Sequence, residues 1–380
     1  MNLTLVAVVA IALFFDFTNG FHDTANAMAT PIATGALKPK VAVLLAAILN
    51  LVGAFLSTEV SQTISHGIIR EDEINPNAFL PLIFAGLIGA ITWNMFTWLL
   101  GLPSSSSHAL FGGLIGATIV GAGWMAIDYS VVLSKVILPA VLAPLTAGII
   151  AFTATRIAYA ITRRYDTKPD GRDGFRFGQI FTSSLVALAH GTNDAQKTMG
   201  VITLTLIIAG VQSPSQTAPE LWVILACGLA IGLGTYMGGW RIMQTVGKKI
   251  SDVQSPQGFA AETSSAATIL VSSHLGFALS TTHVTSGSVI GSGLGKKLAD
   301  VHWSVVGRIV VAWVIALPAA AVVGALATWV ASTSTIGLVL VAVLALAAGL
   351  TFYALAKRRP VSHEDITADE AEREPVAARN

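Results

Sequence analysis

The sequence predicts an all-α polytopic membrane protein of two inverted repeats, with broken helices and re-entrant helical hairpins in about 10–12 membrane segments. Three observations carry that prediction. The chain of 380 residues is 53% hydrophobic and only 11% charged, against about 25% charged in soluble domains. A soluble fold would have to bury nearly every helix on all sides. Two polar motifs each occur twice, in the same order. Gly20-Phe21-His22-Asp23-Thr24-Ala25-Asn26-Ala27 returns as Gly191-Thr192-Asn193-Asp194-Ala195-Gln196-Lys197-Thr198, offset by 171. Ser105-Ser106-Ser107-His108 returns as Ser280-Thr281-Thr282-His283, offset by 175, with Gly112 and Gly116 matching Gly287 and Gly291. Paired motifs in one order at nearly one distance mark an internal duplication. The third observation is the distribution of basic residues, which fixes the relative orientation of the halves.

Residues 2–35 read as one apolar unit interrupted by the polar motif at 16–26 and ended by Lys38-Pro39-Lys40. Residues 3–15 lack a basic leader and read as the first span rather than a signal peptide. Residues 41–60 and 79–100 are spans; Gly101-Leu102-Pro103 then breaks the helix, and the serines start a new one to about 122. Residues 131–156 span again, which makes 1–156 the first repeat, and the polar stretch 157–177 is the linker. The second repeat, 178–356, follows the same plan. Residues 178–211 are interrupted at 190–198, 221–240 span, 258–275 rise into a break at 276–280, a new helix covers 281–295, and 304–330 and 335–356 span. The charged tail 357–380 reads as disordered.

Placing the linker and the tail in the cytoplasm puts all of the 22 Lys and Arg on the inner side except Arg70, Lys135 and Lys197. The N-terminus then lies outside and the C-terminus in the cytoplasm of a multi-pass protein of the cell (inner or plasma) membrane. The two motif-bearing units run in opposite directions through the bilayer, so the repeat is inverted. The net charge of +1 says nothing about partners, and no nucleic-acid partner is expected of a chain of this class. The one cysteine, Cys227, has no intrachain partner for a disulfide.

Ionisable residues inside spans point to function, and here they are Asp16, His22, Asp23, Asp194, Lys197 and Glu262, with Glu59 near a span end. Inverted repeats bring matched segments together near the midplane, so Asp23 and Asp194 should face one site. With Asn26 and Asn193 they supply oxygen ligands for a hard cation, with Asp23 and Asp194 as the metal-binding pair. The bland alternative is that the carboxylates bond freed backbone N–H groups at a helix break. The Ser/Thr clusters follow a Gly-Pro or Gly break and begin half-helices. Their first N–H groups have no intrahelical partner and sit at the positive dipole end, which suits an anion. Two such tips would clasp one tetrahedral oxyanion; the alternative is that the hydroxyls only cap and pack. An anion beside two aspartates needs a neutralising charge, which a bound cation, a proton or Lys197 supplies. Lys197 can equally be a fold-holding partner of Asp194 or Asp23. An imidazole titrates near neutral pH, so His22-Asp23 can be a proton site or His22 can bond backbone at a break. His108 and His283 either touch the anion or close the half-helices.

These segments, GFHDTANA with GTNDAQK and PSSSSH with STTHVTSG, resemble the duplicated signatures of the inorganic phosphate transporter family (PiT, or Pho-4), over roughly residues 10–330. The resemblance implies a membrane symporter, no enzymatic activity and no resident cofactor. It implies that Ser105, Ser106, Ser107, Ser280, Thr281 and Thr282 contact phosphate with Gln196 and Lys197 beside them. It assigns cation or proton coupling to His22, Asp23, Asn26, Asn193 and Asp194. The sodium-coupled pattern has Asn-Asp in both copies, whereas this chain has His22-Asp23. In this it is similar to the bacterial low-affinity branch, which implies coupling to H⁺ rather than Na⁺ and admits Mg²⁺ or another divalent metal entering as a metal–phosphate complex. A homodimer is one assembly compatible with the family.

Three rivals are distinguishable. A sulfate or other oxyanion permease on the same scaffold would show competition by unlabelled sulfate. An intramembrane serine hydrolase would take a fluorophosphonate label, but Ser107 and His108 are helix neighbours that do not face each other. A passive anion channel would ignore proton and sodium gradients.

Overall fold

The computed structural model describes residues 3–65, 67–70, 73–162, 173–296 and 301–367. Among these there is no β-strand, only the isolated bridges Ile69–Ile127 and Ser251–Val301. The first half comprises α1 (Leu3–Ala33), α2 (Pro39–Gly53), α3 (Glu59–Ser65), α4 (Pro76–Leu100), α5 (Ser106–Ala122), and α6 (Tyr129–Val131) running through a π-helical segment into α7 (Leu138–Thr162). The second comprises α8 (Asp173–Ile208), α9 (Leu221–Met237), α10 (Trp240–Gln244) with a π-helical continuation, α11 (Ser255–His274), α12 (Thr281–Lys296) and α13 (Trp303–Ala331). Helix α14 (Thr335–Arg358) and the short α15 (Glu364–Thr367) follow.

Among the described residues, five helices are long and apolar enough to cross a bilayer, or six if α9 and the α10 segment, bent by 61°, count as one. The chain is therefore a multi-pass membrane protein. The motif-bearing α5 and α12, at 17 and 16 residues, are too short to be among the five, and α8 carries its polar motif within its length, where those side chains are buried. Helix α14 exposes Ile336, Val339, Leu340, Val343, Leu344, Leu346 and Leu350, an apolar surface suited to lipid.

The two halves pack with their roles exchanged. Helices α4 and α5 lie on α13, and α11 and α12 lie on α7; α1 pairs with α9, and α8 with α2. Matched glycines set the closest of these approaches. A Cβ on Gly112 or Gly116 would stand 2.2 or 2.0 Å from the Leu317 or Ala321 carbonyl oxygen of α13. On Gly287 or Gly291 it would stand 2.5 or 2.1 Å from the Pro144 or Gly148 carbonyl oxygen of α7. No side chain fits at such distances, so the helices touch backbone to backbone.

Both hairpins turn by the same device. Gly101 (φ 65°) and Gly276 (φ 68°) take the left-handed conformation that ends a helix. The N–H of Gly101 donates to Trp98 O and that of Leu102 to Thr97 O; Gly276 and Phe277 repeat the pair with Ser273 O and Ser272 O. The next helices are capped alike. Ser105 Oγ accepts the His108 N–H at 3.1 Å, and Ser280 Oγ the His283 N–H at 3.2 Å.

The structure differs from the sequence expectation at the polar motifs. Helices α1 and α8 run unbroken through them. Gly20 and Gly191 are points of close approach rather than breaks: a Cβ on either would sit 2.2 Å from the Ile231 or Asn50 carbonyl oxygen. The tail starts in order. Helix α14 reaches Arg358, and Ile366 is buried where α15 meets α1 and α10. Residues 163–172 of the linker and 368–380 of the tail lie outside the described residues.

Candidate functional site

The long helices α1 and α8 pack on each other and carry the polar motifs to one level, where the N-termini of α5 and α12 arrive from their hairpins. Each motif aspartate takes a hydroxyl from the first residue of its own half's tip helix. Ser106 Oγ donates to Asp23 Oδ2 at 2.9 Å, and Thr281 Oγ1 donates to Asp194 Oδ2 at 2.8 Å. Three residues further along each motif helix, the side chain reaches the opposite half. Asn26 Nδ2 donates to Thr281 Oγ1 at 3.3 Å and to Thr282 Oγ1 at 3.1 Å. Lys197, which aligns with Asn26, donates through Nζ to Ser107 Oγ at 2.6 Å. The duplication thus produces a two-fold site in which each half holds its own tip and touches the other's.

Lys197 is the asymmetric element. Its Nζ also bonds Asp194 Oδ1 and donates to the Leu279 carbonyl at 2.7 Å. An ammonium has three donors, and all three are engaged. Lys197 thus pairs with Asp194 and reaches a tip hydroxyl of the other half. Every member of the cluster is sealed from solvent, the most exposed being Asn26 at 6%.

The flanking residues divide along the same pseudo-symmetry. His22 Nδ1 lies 2.6 Å from Asp23 Oδ1, and its Nε2 lies 3.0 Å from Thr97 Oγ1 at the end of α4. Asn193, at the matched position, donates to Ser273 Oγ at 2.9 Å and Phe277 O at 3.3 Å at the end of α11. The side-chain oxygens of Asn26 and Asn193 are buried without a hydrogen-bond partner among the described residues, as suits cation ligands.

Sequence reasoning missed one residue of this cluster, His190. Its Nε2 stands 2.9 Å from Asp194 Oδ2 and 4.0 Å from Asp23 Oδ2, and Nδ1 is 3.1 Å from Asn50 Oδ1. One ligand atom each from Asp23, His190 and Asp194 all fall within 4.8 Å of one another, a set that could hold a metal ion. The signal was present: His190 is one helical turn before Asp194 and shares its face. It escaped notice because its partner in the first half is Asn19 and it precedes the quoted motif.

Other expected ligands stand elsewhere. Gln196 Oε1 accepts the Val60 and Ser61 N–H groups at 2.8 and 3.2 Å, capping α3, and its amide bonds Thr192 O. Both ends of its side-chain amide are taken by α3 and its own helix, and none of these bonds goes to a tip hydroxyl. Ser105 and Ser280 spend a hydroxyl lone pair on their own helices, so Ser106, Ser107, Thr281 and Thr282 are the tip residues that face the aspartates, Asn26 and Lys197. His108 and His283 stack on each other at 4.8 Å, His283 lies 4.2 Å from Trp313, and its Nδ1 is 3.3 Å from Ala140 O. They brace the two tips against their neighbours.

The arrangement offers two helix N-termini and four hydroxyls to one anion, beside two carboxylates, one ammonium and two imidazoles. It has the components to hold an oxyanion together with a neutralising cation or proton.

The chain is similar to known proteins. The model of the phosphate transporter family matches residues 19–172 and 159–324. A Mycobacterium leprae (strain TN) protein named a probable low-affinity inorganic phosphate transporter is 53% identical over 370 residues, covering 96% of this chain and 88% of that one. A Bacillus subtilis (strain 168) protein of the same name is 41% identical over 325 residues, covering 86% and 96%. Among solved structures, one described as the sodium-dependent phosphate transporter superposes with a TM-score of 0.78 at 26% identity, covering 86% of this chain and 98% of that one.

Proposed function

This chain belongs to the phosphate transporter family, and from that premise we propose that it is a symporter that imports inorganic phosphate with protons. Phosphate binds between the N-termini of α5 and α12, held by the hydroxyls of Ser106, Ser107, Thr281 and Thr282, with Lys197 supplying the positive charge beside them. Asp23 and Asp194 carry the coupling charge. The observation that supports proton coupling most is the pairing of each aspartate with an imidazole: His22 with Asp23 at 2.6 Å and His190 with Asp194 at 2.9 Å. A side chain able to accept and pass on a proton then stands beside each carboxylate. A proton arriving there cancels one of the negative charges that would repel phosphate.

Two variants have support of their own. The Asp23–His190–Asp194 cluster suits a divalent metal carried as cargo with phosphate. The solved relative is described as sodium-dependent, which supports sodium as the alternative coupling ion. Radiolabelled phosphate uptake into proteoliposomes separates these. Uptake driven by an inward proton gradient and indifferent to sodium is the expected result. Uptake that needs sodium and ignores protons contradicts the proposal, as does transport of sulfate in place of phosphate. A rise on adding Mg²⁺ would identify the cargo as a complex.

A further inference from the structure

The site leaves two buried carboxylates unused, Asp16 and Glu262, and only Asp16 is without hydrogen-bond donors of its own. Asp16 lies on α1 two turns before Asp23, about 10 Å along the axis. It is 0% exposed, and neither carboxylate oxygen has a hydrogen-bond partner among the described residues. Asn19 follows on the same face, 1% exposed, with its own Oδ1 unpartnered. Across the α1–α8 contact the Thr198 hydroxyl, 1% exposed, is the polar group nearest the Asp16 carboxylate, and it makes no other hydrogen bond among the described residues. Cys227 of α9 is a further neighbour. The charged groups that act on Asp16 are Lys197 and Asp194 of α8, and the Lys197 donors are already taken.

Glu262 shows how this fold treats a buried carboxylate that is held in place. It accepts hydrogen bonds from Thr30 Oγ1 at 2.7 Å, Gln179 Nε2 at 3.0 Å and Thr182 Oγ1 at 2.7 Å. Asp16 has no such cage. The duplication argues against a scaffold role as well, since the positions matched to Asp16 and Thr198 are Ala187 and Ala27. A buried, acceptor-rich cluster around one carboxyl group is balanced by a single positive charge, carried on the carboxylate as a proton or held beside it as an ion. A divalent ion would leave a net charge behind and usually takes more than one carboxylate.

We propose that Asp16, Asn19 and Thr198 form a second station for one monovalent cation, a proton or an alkali ion, on the α1 N-terminal side of the phosphate site. The station rests on the coupled-transport reading above and deepens it. A cation held there is one step removed from the Asp23–Asp194 pair and enters the coupling stoichiometry separately.

The test is the cation-to-phosphate ratio in proteoliposomes, with protons followed by an internal pH dye, sodium by radiolabel and phosphate by radiolabel in parallel. Asp16→Asn should keep phosphate counterflow but lose one positive charge per phosphate, and the ion whose ratio falls identifies the occupant. Asp16→Glu should retain the wild-type ratio. Asn19→Ala should raise the coupling-cation concentration for half-maximal uptake by about tenfold, the loss of one ligand. An unchanged ratio in Asp16→Asn overturns the station while leaving coupled transport intact. Wild-type protein that moves phosphate with neither ion overturns coupling and station together. Should Asp16→Asn fail to insert, an unshifted cation dependence in Asn19→Ala overturns the station.

Discussion

Lys197→Met removes the fixed positive charge at the centre of the site while keeping most of the side-chain volume. Two consequences have a size. An anion about 5 Å from the ammonium, at an effective dielectric of about 20, gains about 3 kcal/mol from it, so phosphate affinity should fall by about two orders of magnitude. The fold also loses a buried ion pair, and an uncompensated buried charge costs about 3–5 kcal/mol. Part of that is offset, because Thr281 Oγ1 still donates to Asp194 at 2.8 Å and His190 Nε2 still stands 2.9 Å away. Uptake against phosphate concentration in proteoliposomes, with thermal unfolding in detergent alongside, reads both effects. Half-saturation should rise at least tenfold, towards the hundredfold worked above, with a lowered Tm. The double variant Lys197→Met/Asp194→Asn restores the charge balance and should recover Tm but not coupled uptake. Wild-type half-saturation in Lys197→Met would refute the reasoning and reduce Lys197 to a structural partner of Asp194.

The remaining predictions concern the same cluster and its scaffold. Asp23→Asn and Asp194→Asn should each abolish gradient-driven uptake in protein that still inserts; coupled uptake in either variant removes that residue from coupling. Ser106→Ala with Thr281→Ala deletes two charge-assisted hydrogen bonds, each worth about 1.5–3 kcal/mol. Phosphate half-saturation should rise by at least tenfold, and an unchanged value would return the hydroxyls to capping and packing. His22→Asn should flatten the pH dependence of uptake; an unaltered profile excludes His22 from proton coupling. Gly291→Val places a side chain where a Cβ would already be 2.1 Å from Gly148 O. It should part α12 from α7 and cost about 3 kcal/mol or more, seen as a lower Tm, and a wild-type Tm would contradict the backbone contact.

Much of this molecule is legible in its sequence because the duplication leaves the same local chemistry twice. Gly101 and Gly276, followed by Ser105 and Ser280, announce a helix stop and a capped restart, and both hairpins are built that way. The meeting of Asp23 with Asp194 also follows from the inverted repeat. What pattern alone does not give is the partner of a polar side chain. A run of polar residues in an apolar helix reads as an interruption. In α1 and α8 the helix continues because other helices satisfy those side chains: Thr97 and Ser106 for His22 and Asp23, Ser273 for Asn193, Thr281 for Asp194. Gln196 illustrates the same limit. It neighbours Ala195 and Lys197 in the motif, yet successive helical residues point about 100° apart, and its amide turns to α3 instead of the tips. His190 is the converse, outside the motif in sequence but one turn from Asp194 in space.

The central claim is that phosphate binds where the α5 and α12 N-termini meet Lys197 and the two aspartates. Arsenate is isosteric with phosphate and its arsenic scatters anomalously, so an anomalous difference map of crystals grown with arsenate locates the anion directly. The account predicts one peak between Ser106–Ser107 and Thr281–Thr282, within hydrogen-bond reach of Lys197 and lost in the Ser106→Ala/Thr281→Ala variant. A peak away from both tips, or one that survives in that variant, would contradict it.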